Sequence, residues 1–149
     1  MAVEGTSHTW RDRPAPVGVR RRGLARAMRL VLWLLTASVL AQAIFAGLFL
    51  DGHDAWRDWH AANGMVLLPL LALVQAVLAA TPGRPGRGPS WPAIASVGLL
   101  VAILLQIAMG QASQLAVHVP LGVAIFGLVG ALLGRTRNLT RPAIHPTSS

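Results

Sequence analysis

Between Trp91 and Gly134 the chain carries no charged side chain, histidine counted as neutral. One crossing of a hydrocarbon core takes about 20 apolar residues, and this run is roughly twice as long. A chain that enters lipid here must therefore turn back inside the run. Gly110-Gln111-Ala112-Ser113-Gln114 is the polar, flexible cluster where it can do so. Two segments follow, at about 91–109 and 115–134.

The first half of the chain repeats the pattern. Leu30 to Leu50 is uncharged and long enough to cross at about 1.5 Å per residue. Arginines, an apolar run and Ala41-Gln42-Ala43 also compose a cleavable signal peptide covering residues 1–43. Signal cores run about 7–15 residues, whereas this one continues to Leu50, which favours a retained span. Asp51 to Asp58 reads as a short polar loop, with Trp56 and Trp59 at headgroup level. A second segment covers about 59–80, bent at Pro69. Thr81 to Ser90 is too rich in proline and glycine for helix, and Ser90 with Pro92 opens the third segment.

The expected fold is all-α: an integral membrane, up-down four-helix bundle over 24–134. Residues 1–23 form a disordered basic tail and 135–149 a short second one. A composition of 54% hydrophobic and 12% charged residues, with mean hydropathy +0.56, belongs to the same class.

Charge sets the orientation. Of 13 basic residues, Arg57 alone lies between the first and second segments, and none lies between the third and fourth. The rest precede the first segment, sit in the middle loop or follow the fourth. The positive-inside rule then puts both termini and the middle loop in the cytoplasm of a cell-membrane protein. Because the arginines flank apolar segments and line no polar face, the net charge of +8 marks topology and no nucleic-acid partner. No Asp, Glu or Arg falls inside a segment, which argues against a proton pump or charge-coupled transporter.

Within this frame two short motifs match. Trp59-His60-Ala61-Ala62-Asn63-Gly64 heads the second segment and His118-Val119-Pro120-Leu121-Gly122 heads the fourth. Four residues turn a helix by about 400°, so each glycine lies one turn deeper on its histidine's face. Both segments run inward, so His60 and His118 share a depth near the outer surface. They belong to diagonal helices, roughly 11–14 Å apart between axes for neighbours at 8–10 Å. That spacing suits two axial ligands of a haem, with Gly64 and Gly122 making room for the porphyrin. Without cysteine there is no disulfide, thiolate ligand, iron–sulfur cluster or thioether link, so a haem would be the noncovalent b type. Plainer readings stand beside this one. A histidine at a helix end can serve the interface alone, and glycines in membrane helices, Gly130-x-x-x-Gly134 among them, commonly serve packing.

Gln42…Gly47 and Gln106…Gly110 echo each other on the first and third segments, so the chain reads as a degenerate repeat of a helical hairpin. Gln42, Gln106 and the inward-facing Gln75 bond helix to helix, or else meet haem propionates or a quinone. Arg57 is the outer cation for a propionate, unless it pairs with Asp54 or Asp58. His53 and His145 lie in polar stretches and read as solvated.

Gln106-Ile107-Ala108-Met109-Gly110 followed by Ala116-Val117-His118-Val119-Pro120-Leu121, with Trp59-His60 heading the second segment, resembles one four-helix half of haem A synthase. It is also similar to small four-helix membrane proteins related to that half. The resemblance covers about residues 30 to 134 and implies that His60 and His118 are haem ligands. Arg57 and Ala61 stand where the family has an acidic residue and an arginine, and the family's loop cysteines and second half are missing. A homodimer would supply that second half. The expectation is a membrane b-type haem protein for electron transfer or haem handling, partnered by lipid and by a quinone or redox protein. The alternative is a haem-free structural or interaction subunit.

Overall fold

A computed structural model describes residues 17–81 and 91–138. The described residues are all helical or in short turns, and contain no strand. There are four long helices: α1 (Val17–Leu50), α2 (Ala55–Ala80), α3 (Trp91–Gln111) and α4 (Leu115–Asn138). Each is long and apolar enough to cross a membrane. Helix α1 packs on α2 and α4, and α3 packs on the same two. The bundle is thus a closed ring in which α2 and α4 stand across from each other, as the up-down reading requires.

The helices overrun their expected ends. Helix α1 begins at Val17, inside the stretch assigned to a disordered tail, so residues 17–23 are helix. Arginine, alanine, leucine and methionine are good helix formers, and extending an existing helix is far cheaper than nucleating one. Ala55 to Asp58 is the first turn of α2, not loop. Helix α4 continues past Gly134 to Asn138, held by Arg135 over the Trp91 ring (4.6 Å) and by Arg29 Nη2 donating to the Thr136 carbonyl (3.0 Å). The middle loop with Arg84, Arg87 and Ser90, the last residues with His145, and the chain before Val17 lie outside the described residues.

Two tight turns close one end of the bundle. After α1, Gly52 at φ 92° lets the His53 N–H reach the Leu48 carbonyl (3.1 Å) and the Gly52 N–H reach Phe49 (3.1 Å). After α3, Ser113 at φ 57° does the same, with the Gln114 N–H on Met109 (2.9 Å) and its own on Gly110 (3.0 Å). These are paired Schellman stops, which satisfy the last carbonyls of each helix. The hairpin repeat therefore extends to its turns.

Helix α2 is not uniform. Asn63–Leu67 forms a π-turn, and the Leu68 N–H reaches back five residues to the Asn63 carbonyl. Pro69 follows at once; its ring would crowd the carbonyl four residues earlier, and a widened turn relieves that. At the expected bend the helix widens on the N-terminal side of the proline. Beyond it the core is apolar, with Leu32, Leu35, Ala72, Leu99, Ile103 and Val129 almost wholly buried between the four helices.

Candidate functional site

The two-turn end of the bundle gathers the polar residues singled out above. His60, in the second turn of α2, directs Nδ1 at the backbone carbonyl of Gln42 on α1, 3.1 Å away. His118, one turn into α4, directs Nδ1 at the backbone carbonyl of Gln106 on α3, 2.9 Å away. A carbonyl oxygen only accepts, so Nδ1 is the protonated nitrogen in both rings. The neutral tautomer then keeps its lone pair on Nε2, the nitrogen a metal would take.

The two imidazoles are neighbours across the bundle. Their centroids are 6.4 Å apart and their planes are inclined at 54°. A metal held between two Nε2 atoms by bonds of about 2.0–2.1 Å would put the centroids roughly 6–6.5 Å apart. The described residues contain no group of three or more His, Cys, Asp or Glu that could hold a metal ion. Two donors are too few for a protein-only zinc site, but they are the full protein complement for a metal whose other ligands come from a macrocycle.

The glycines have a specific neighbour. A Cβ on Gly64 would lie 2.5 Å from Gln42 Nε2, and one on Gly122 would lie 3.1 Å from Gln106 Nε2. The space made by each glycine, expected for a porphyrin, is taken here by the amide of the glutamine on the preceding helix. Gln, His and Gly thus recur as the same triad in both hairpins. Gly110 belongs to the site as well, since a Cβ there would meet His118 Cε1 at 2.9 Å. Among the described residues nothing lies within 4 Å of a Cβ on Gly130 or Gly134, so this pair faces away from the other described helices.

Around the first triad is a buried network absent from the sequence reading. Asn63 is almost wholly buried. Its Nδ2 donates to the Ser38 carbonyl (2.9 Å) and to Gln42 Oε1 (2.7 Å), while Ser38 Oγ donates to Asn63 Oδ1 (2.7 Å). Gln42 Nε2 then donates to the His60 carbonyl (2.9 Å). The signal was available: Asn63 lies three residues after His60 and Ser38 four before Gln42, each pair on one helix face. The second triad has no such network. Ala102 and Leu121 occupy the matching places, and Gln106 Oε1 is buried without a partner.

The other candidates fall at or near the rim. Arg57 lies over the Phe49 ring at 5.5 Å, rather than on Asp54 or Asp58. Phe49 in turn tilts against His60 (5.9 Å), and Trp56 stacks on Phe45 (5.5 Å). His53 is exposed, 4.0 Å from Asp51. Gln111 Nε2 approaches Met65 Sδ (3.5 Å), tying the end of α3 to the π-turn. Gln75 faces the interior as expected, far from the histidines, with Oε1 buried and unpartnered. No protein-family model, curated protein or solved structure matches this chain.

Proposed function

We propose that the chain is a small membrane b-type haem protein in which His60 and His118 are the two axial ligands. One observation carries this reading. Two imidazoles from helices across the bundle each commit Nδ1 to a backbone carbonyl and stand 6.4 Å apart, with Nε2 unused. A hydrogen bond from the distal ring nitrogen fixes the orientation of a ligating histidine and raises its basicity. Haem, when bound, supplies a one-electron redox centre.

The residues do the rest. His60 and His118 would together hold the haem iron through two nitrogen donors, which would suit electron exchange with a partner better than turnover of a bound substrate. The site lies one to two turns from the Gly52 and Ser113 turns, within reach of a soluble redox protein or of a quinone at the headgroup level. Arg57, over the Phe49 ring at that rim, is the cation that would meet a propionate. The arginine distribution puts this end outside the cell membrane and both termini in the cytoplasm. The resemblance to half of haem A synthase supports the same ligand pair. It leaves open a homodimer that would restore the second half.

A haem-free structural subunit remains the competing reading. It is favoured by the Gln42 amide occupying the space over Gly64, where a packing role alone suffices. Haem content decides between them. Protein purified in detergent from haem-replete cells should carry one haem per chain, and a colourless preparation contradicts the proposal.

A further inference from the structure

Assuming the haem reading above, we infer that the two ligands are unequal: His60 is the permanent ligand, and His118 is the one that lets go to admit a small neutral molecule such as carbon monoxide. The asymmetry lies in what holds each histidine's helix. His60 is gripped twice by one residue, its ring on the Gln42 carbonyl and its own carbonyl under Gln42 Nε2. Gln42 is in turn locked by Asn63, and Asn63 by both the hydroxyl and the carbonyl of Ser38. The turn of α2 that carries His60 therefore cannot move off α1 without breaking a linked set of buried and half-buried hydrogen bonds together.

His118 is gripped once. Its ring donates to the Gln106 carbonyl, and Gly110 lets the α3 backbone approach that ring. Both contacts orient the imidazole, and neither ties down the α4 backbone. The residues that would tie it are Ala102 and Leu121, which make no hydrogen bonds with their side chains, and the Gln106 amide leaves Oε1 unpartnered. Helix α4 is also weaker at this point. Pro120 lies inside it and offers no N–H to the Ala116 carbonyl, so the turn containing His118 lacks one of its own hydrogen bonds. Moving that turn outward costs one inter-helix hydrogen bond, against a linked set on the other side.

The repeat makes the difference informative. Both hairpins keep the glutamine, histidine and glycine, yet only the first keeps the lock. One coordination position is thereby made permanent and the other exchangeable, which adds gas or small-ligand binding to a protein otherwise built for electron transfer.

Paired variants test this. His118→Ala should keep haem, become five-coordinate and high-spin, and recover a six-coordinate low-spin spectrum on addition of free imidazole. His60→Ala should lose haem, and imidazole should not restore it. Carbon monoxide should bind the dithionite-reduced wild type. Installing the lock in the second hairpin, Ala102→Ser with Leu121→Asn, should slow that binding about three- to tenfold, the worth of one or two inter-helix hydrogen bonds. A red wild type that refuses carbon monoxide, or one whose two histidine variants lose haem equally, overturns the asymmetry while leaving the haem reading intact. A colourless wild type removes the haem reading and this inference with it.

Discussion

Asn63 Nδ2 donates to Gln42 Oε1 at 2.7 Å across the α1–α2 interface, and through that bond the second helix is registered on the first. The same glutamine supplies both a backbone carbonyl to the His60 ring and an amide N–H to the His60 carbonyl. The position of His60 thus depends on a side chain three residues further along its own helix.

Replacing Asn63 by leucine, the residue at the matching place in the other hairpin, should cost about 1–2 kcal/mol, in the range of polar ties between membrane helices. Ser38→Ala with Asn63→Leu should cost less than the sum of the single changes, because the two residues act through one network. Thermal unfolding in detergent of the single and double variants measures this. Strict additivity would show that Ser38 and Asn63 act separately.

Three glycines should respond in order. In Gly64→Ala the new methyl lies 2.5 Å from an amide that is fixed at both ends, so the bundle should lose about 1–3 kcal/mol. Gly122→Ala should be milder, because its 3.1 Å neighbour belongs to an amide with no partner at Oε1. Gly130→Ala meets nothing and should change stability by less than about 1 kcal/mol, upward if at all. Melting temperatures of the three variants give the order, and a Gly130 variant as damaged as the Gly64 variant would break it.

The turns offer a cleaner comparison. Ser113 holds a left-handed conformation that glycine adopts without penalty, so Ser113→Gly should stabilise by about 1 kcal/mol. Gly52→Ala should destabilise by about as much, purely through its backbone, since a Cβ there touches nothing. Chemical denaturation of both variants reads the two signs.

Much of this end of the molecule is legible in the sequence. The uncharged run after Trp91 forced a turn at Gly110–Gln114, and the spacing of His60 from Gly64 and His118 from Gly122 placed each pair on one face. What sequence left undecided has a common physical cause. Every face of a lipid-crossing helix is apolar, so spacing alone does not separate inward from outward. Gly130 and Gly134 have a packing motif and face out, whereas Gly64 and Gly122 face a glutamine amide. Asn63 stands beside Gly64 in its motif, but its partners lie on another helix, so spacing along its own helix does not name them. The overrun of α1 and α4 past their apolar limits arises because arginine ends hydrophobicity without ending a helix.

Orientation can be tested independently of any cofactor. A reporter active only in the cytoplasm should work when fused after Asn138, where α4 ends, and fail when inserted at Gly52 in the first turn. The reverse pattern would move both histidines to the cytoplasmic side.

Bis-histidine ligation itself is read most directly from the absorption spectrum of the detergent-purified protein, oxidised and then reduced with dithionite. With His60 and His118 on one iron, both states should be six-coordinate and low-spin, and His53→Ala should leave the spectrum unchanged. A preparation without haem, or a wild type that is high-spin in both states, would contradict ligation by this pair.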